Sequence, residues 1–151
     1  MKVTTKILLT LKLFVAALIV PHAVSGHCQV PCGIFDDHAR VHLMLEDAVT
    51  IAKACKLMAD LEEKTDAQSK QQFIRWTNEK EAHAQKIIKT TADYFLAQRV
   101  KTSMDDYNDR LLAHHAVMIA AMKAKQNADV KYAEALTKAI EATGVFYPGK
   151  H

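Results

Sequence analysis

The sequence predicts an all-α fold, an up-down-up-down four-helix bundle preceded by a short N-terminal hook. Three observations carry that expectation. Half of the residues are hydrophobic while glycine (4) and proline (3) are scarce, too few turn-formers for a sheet protein. Apolar residues recur at helical spacing in four stretches. Short polar links separate those stretches, which sets consecutive helices antiparallel. A chain of 151 residues suffices for one domain with its own core.

In chain order, residues 1–26 read as a cleaved signal peptide. Lys2 and Lys6 form a positive start, residues 13–20 an apolar core, and Val24-Ser25-Gly26 places small residues before a cut at His27. Lys12 interrupts the apolar run, leaving it short for a membrane span. An uncleaved N-terminal anchor is the competing reading. Cleavage implies an exported protein, secreted to the extracellular space or the periplasm, with no membrane attachment afterwards. The formal charge of +3 resides in this segment, because residues 27–151 hold 17 basic and 17 acidic side chains. No basic tract remains, which argues against a nucleic-acid partner.

Residues 27–151 are expected to form the bundle, with the hook at 27–35. Asp36 and Asp37 can cap the first helix, which the pattern carries to about Glu63 on Val41, Leu45, Ala48, Ala52, Cys55 and Ala59. The polar stretch 64–69 marks a turn. The second helix runs from about Gln68 to Val100, its stripe interrupted by Lys80 and His83. Ser103 with Asp106 resembles a capping box for a third helix from about Met104 to Asn127, with Tyr107, Leu111, His115, Met118 and Met122 in register. The fourth spans about Ala128 to Thr143, with Val130, Ala133, Leu136 and Ile140 inward. Gly144 is placed as its C-terminal cap and Pro148 stops its continuation.

Such a bundle could house a di-iron centre, which needs Glu-x-x-His on two helices. No glutamate of residues 27–151 has a histidine three places on. There is no glycine-rich phosphate loop, no Gly-x-Ser-x-Gly and no His-Glu-x-x-His. His38 and His42 share a helix face and could take a metal, but nothing nearby completes a recognisable set, so they read as ordinary surface or core histidines, as do His114 and His115. His83 reads as a hydrogen-bonded interior residue. Cys55 lies on the apolar stripe and is expected to be a buried, inert thiol.

The chemistry gathers in the nine residues His27-Cys28-Gln29-Val30-Pro31-Cys32-Gly33-Ile34-Phe35. Cleavage before His27 would free an α-amine with a pKa of about 7.7–8.0, which yields its proton readily to a metal. That amine, the Cys28 backbone nitrogen and the Cys28 thiolate can chelate one ion through two fused five-membered rings. Cys32 adds a second thiolate if the chain turns back, and Val30-Pro31 is open to a cis peptide. Two nitrogens and two sulfurs in a plane, one of them a deprotonated amide, suit nickel or copper better than zinc. The His27 imidazole can act as an axial fifth ligand. A site of this kind suits one-electron redox work on a small substrate such as a dioxygen species.

The order His-Cys-x-x-Pro-Cys-Gly-x-aromatic-Asp at a processed N-terminus resembles the hook of the nickel-dependent superoxide dismutase family. A helical bundle with Asp93-Tyr94-Phe95 near the end of its second long helix is similar to that family too. The resemblance covers essentially all of residues 27–151. It implies a homohexamer and an enzyme that converts superoxide to dioxygen and hydrogen peroxide, with one nickel per chain cycling between Ni2+ and Ni3+. It implies metal ligation and catalysis by His27 (amine and imidazole), Cys28 (amide and thiolate) and Cys32 (thiolate). It implies a cis bond before Pro31 and a tyrosine near the metal at Tyr94.

Two positions depart from the family. Phe35 stands where tyrosine is frequent, so a hydroxyl is missing. His42 and Glu79 stand where the family braces its axial imidazole with an acid–arginine pair. These departures define an alternative, a non-catalytic secreted helical protein that binds nickel or copper. A plain bundle with a Cys28–Cys32 disulfide is a third reading, favoured by an oxidising compartment.

Overall fold

The computed structural model describes residues 29–149. The leader 1–26 and the donors His27 and Cys28 lie outside the described residues. Within them the fold is all-helical: α1 (Asp37–Ala59), α2 (Ala67–Lys89) continued by a π-helical segment (Thr90–Arg99), α3 (Tyr107–Gln126), α4 (Val130–Thr143) and a closing 3-10 turn (Gly144–Phe146). Each helix packs on its neighbours in sequence, and α4 returns against α1. Cross-helix bonds establish the antiparallel sense, since the start of α1 meets the end of the π segment (Asp37–Arg99) and the tail after α4 (His38–Tyr147).

The core of α1 is Val41, Met44, Ala48, Ile51, Cys55 and Met58. Leu45 and Ala52 flank it and Ala59 is exposed, so the stripe is rotated slightly from the expected one. Ala84 and Ile87 of α2, Phe95 of the π segment and Leu136 and Ile140 of α4 complete the core, all fully buried. Cys55 is a buried free thiol, as its place on the stripe predicts, and burial pushes its pKa up.

α3 corrects the sequence reading. Its buried side chains are His114, Val117, Ala121 and Ala124, whereas Leu111, His115 and Met122 are exposed. Residues 111–122 are apolar on almost every side, so hydrophobicity alone cannot select a face. Packing chooses the face of His114, Val117, Ala121 and Ala124, whose two alanines let the last turns approach their neighbours. The helix also begins at Tyr107 rather than Met104. Residues 101–107 form turns instead (Met104 N to Lys101 O, 3.0 Å; Tyr107 N to Met104 O, 3.1 Å), and Asp106 precedes the helix without a side-chain cap bond. Gly144 does follow α4, but at φ −59° its special freedom is unused and the chain tightens into the 3-10 turn.

Lys80 explains its own place on an apolar stripe. It is 3% exposed, and its ammonium donates to the carbonyls of Ala124 (2.8 Å) and Lys125 (2.5 Å). The last carbonyls of a helix lack intrahelical partners and carry the negative end of its dipole. One cation from α2 therefore finishes α3. His83 is likewise engaged, its Nδ1 2.7 Å from the Asp47 carboxylate, which Lys86 also approaches at 2.9 Å.

The hook end of the bundle is clasped by Asp37. Asp36, not Asp37, caps α1, accepting from Ala39 N at 3.0 Å. Asp37 instead receives Arg99 through Nε and Nη2 at 2.7–3.0 Å, and the Tyr94 hydroxyl at 2.7 Å. Tyr94 and Arg99 are five apart. In an α-helix they would sit about 140° apart around the axis, but π winding, with its i to i+5 bonding, stacks them. The Val100 N to Phe95 O bond (2.8 Å) is one such step.

Burial by itself would raise the Asp37 carboxyl, but the bonds from Arg99 and Tyr94 outweigh it, and its pKa lies below the ordinary value. A carboxyl lowered on folding contributes stability above its unfolded pKa of about 3.9 and loses it as pH falls through the folded value. Asp37→Asn is expected to cost about 2 kcal/mol near neutral pH, a charge-assisted pair being exchanged for a neutral one. Chemical denaturation at pH 7 and pH 3 measures this; the gap between variant and parent should shrink toward the acid end.

Candidate metal centre and its surroundings

The described part of the hook is a tight turn on the end of the bundle. The Val30–Pro31 bond is cis. Ile34 N donates to Pro31 O at 3.2 Å, and Gly33 between them has φ +81°. A turn with positive φ at its third residue is the type II geometry, which glycine accommodates without a Cβ penalty. Cys32 therefore occupies the turn itself. It is disulfide-bonded, its partner lying outside the described residues. No three His, Cys, Asp or Glu side chains among the described residues come together as a metal set.

Three contacts hold the turn. Gln98 Nε2 donates to Val30 O (3.2 Å) and to Asp93 O (2.8 Å), tying the hook to the π segment. Phe35 sets its ring edge-on to Tyr94, with centroids 5.8 Å apart, and the Arg99 guanidinium lies 4.3 Å over the same ring. Phe35 thus serves as an apolar plate for the Asp37–Arg99 clasp. Tyr94 stands beside the hook as the resemblance implies, but its hydroxyl is committed to Asp37. Burial first, and then the bond to that carboxylate, push its pKa up, so it keeps its proton at neutral pH.

A cleft of about 470 Å³ opens beside the turn, lined by Val30, Pro31, Arg40, Lys86, Lys89 and Tyr94 with Asp93 at its edge. Lys86 is paired with Asp47, and Lys89 with Asp93 at 2.5 Å. Arg40 is different. Its guanidinium lies 5.2 Å over the Tyr94 ring and has no carboxylate partner among the described residues. The cleft therefore carries one uncompensated, half-buried cation.

On the other side, a cleft of about 390 Å³ is lined by Phe35, His38, Arg99, Phe146, Tyr147 and Pro148. The C-terminal tail closes it. Tyr147 is buried and its hydroxyl meets His114 Nε2 at 3.2 Å, while His114 Nδ1 donates to Arg110 O at 2.7 Å. Burial lowers the His114 pKa, in keeping with a neutral ring that accepts from tyrosine. Burial also raises the Tyr147 phenol to about 12. Phe95 lies against both rings at 4.9 and 4.8 Å.

Sequence reasoning placed Pro31, Cys32, Phe35 and Tyr94 at this end, and they are there. His42 and Glu79, the replacements for the bracing pair, are engaged elsewhere: His42 with His38 Nε2 at 3.0 Å, Glu79 with His83 Nε2 at 3.6 Å. Asp37, Arg40, Gln98 and Arg99 were missed. Each looks like an ordinary helix-surface polar residue, and only the winding of Thr90–Arg99 and the docking of the turn give them their roles.

Comparison with curated proteins and with solved structures returned no match. Comparison with protein families matches residues 22–151 to the family described as nickel-containing superoxide dismutase. That span takes in the hook, the clasp and all four helices, and on it the chain belongs to the nickel-containing superoxide dismutase family.

Proposed function

We propose that this enzyme holds its nickel in residues 27–32 and dismutes superoxide there. The observation that carries the reading is the donor order His27-Cys28-Gln29-Val30-Pro31-Cys32 in the sequence, whose residues from Val30 on lie in a turn that Gln98 and Phe35 fasten to the bundle. The family supplies the coarser statement, a nickel cofactor and superoxide as substrate. His27 would hold the metal by its amine and imidazole, Cys28 by its amide nitrogen and thiolate, and Cys32 by its thiolate. These donors fit nickel: two thiolates and an anionic amide favour a strongly binding ion of square-planar preference. Bound nickel would supply the one-electron chemistry that superoxide conversion needs.

The chain's own side chains do the rest. Two superoxide anions and two protons yield one dioxygen and one hydrogen peroxide, so each half-reaction draws in an anion. Residues 27–151 have no net charge to attract it. Arg40 would serve that task, a cation without a carboxylate partner among the described residues in the cleft against Val30 and Pro31. Pro31 and Gly33 orient the turn. Phe35 and Tyr94 shape its seat, and Tyr94 keeps its proton. The non-catalytic alternative drew on the missing Phe35 hydroxyl; in this chain the Phe35 ring has its own employment under Arg99.

Export through residues 1–26 and assembly into a homohexamer complete the proposal. Val30 and Ile34 are 80% and 83% exposed, apolar side chains on the hook's outer face that suit burial against another copy.

Four outcomes are expected. The mature protein should begin at His27 by N-terminal sequencing and hold close to one nickel per chain. Because thiolates and not a disulfide are the ligands, loading should require prior reduction, and Cys28→Ser or Cys32→Ser should abolish both nickel uptake and superoxide consumption. Stoichiometric zinc, or full activity without either thiol, would overturn the assignment. Arg40→Gln should lower kcat/KM severalfold at low ionic strength and flatten its salt dependence, while Arg40→Lys preserves both; stopped-flow decay of superoxide measures this. Light scattering of the mature protein should give the mass of six copies.

A further inference from the structure

We infer that His38 and His42 form a second metal site, distinct from the hook, for a borderline divalent ion such as Ni2+, Cu2+ or Zn2+. The two residues are i and i+4 on α1, one face of one helix, the spacing by which helical histidine pairs take metals. Both are exposed at the surface. Their Nε2 atoms are 3.0 Å apart. Two imidazole nitrogens bound at about 2.0–2.1 Å, with an angle between 90° and tetrahedral, lie about 2.8–3.4 Å apart. The pair thus already has the separation of adjacent ligands on a single ion.

The proton arrangement agrees. His38 Nδ1 donates to Tyr147 O at 3.2 Å, which leaves Nε2 as the lone-pair nitrogen. A ligand histidine that gives its other N–H to a backbone carbonyl is the usual outer support of a metal site. The tail also fixes the ring: a Cβ on Gly149 would meet His38 Nε2 at 3.2 Å and Cε1 at 3.3 Å, so the Gly149 backbone lies close against it. His42 Nε2 now gives its proton to His38. Binding needs His42 to carry its proton on Nδ1 instead and the two rings to turn so that both lone pairs meet one ion, while α1 itself stays in place. No third His, Cys, Asp or Glu joins them among the described residues, so water fills the remaining positions. The expected site is an open two-imidazole one, weaker than the hook.

The test uses the full chain with Cys28→Ser and Cys32→Ser, so that the hook thiolates cannot compete, and Ni2+ alone as the probe. Titration in the micromolar range should saturate near one equivalent. Paramagnetic broadening should strike the ring signals of His38 and His42 first, before those of His114 and His115. His42→Gln, which leaves the Tyr147 bond to His38 untouched, should weaken binding at least tenfold with an unchanged circular dichroism spectrum. His38→Gln should do the same, and Glu46→Gln on the same helix should not. Binding only at millimolar Ni2+, undiminished binding in His42→Gln, or broadening centred on another histidine would each overturn the inference. Loss of nickel from the intact hook would leave it standing, since the hook plays no part in it.

Discussion

The grip of Arg99 and Tyr94 on the Asp37 carboxylate is the interaction on which the hook end of this protein depends. Asp37 stands at the start of α1, and Arg99 at the end of the helix antiparallel to it, so one charged contact fixes where two helices begin and end. The pair is partly buried, with side chains 17% and 26% exposed. At that depth the carboxylate must be matched by good donors to be tolerated, and it has three. The hook rests on this assembly: Phe35 lies between Arg99 and Tyr94, and Gln98, one residue before Arg99, holds Val30.

The π segment makes that assembly possible. Five-residue spacing is useless on an α-helix, where residues i and i+5 diverge. Widening the turn aligns Tyr94 with Arg99 and lets Phe95 point into the core between His114 and Tyr147. One stretch therefore faces three ways: toward the hook, toward Asp37 and toward the tail. The cost of poorer helix geometry falls at the hook end.

Polar groups inside the bundle each have an assignment. Lys80 caps α3, His114 links Arg110 to Tyr147, and Asp47 collects His83 and Lys86. No buried side-chain nitrogen or oxygen among the described residues lacks a partner. Arg40 belongs to the hook end, a cation with an aromatic face beneath it and no carboxylate partner among the described residues, beside the proposed reaction centre.

The sequence by itself determined the helical class, four helices in order, the donor-rich hook and its family, and the inert place of Cys55. These are local properties: apolar spacing, scarce glycine and proline, and a short run whose residue types speak for their own chemistry. It also opened Val30-Pro31 to a cis peptide, because a tertiary amide loses most of the trans preference. The buried face of α3 was not legible, since Leu111, Leu112, Val117 and Met118 are equally apolar and the choice belongs to the neighbouring helices. Nor was the work of Asp37, Arg40, Gln98 and Arg99, or the approach of His38 to Tyr147. Those depend on distances between residues up to 109 positions apart. A winding change over ten residues and the return of the tail set those distances, and no periodicity in the chain encodes them.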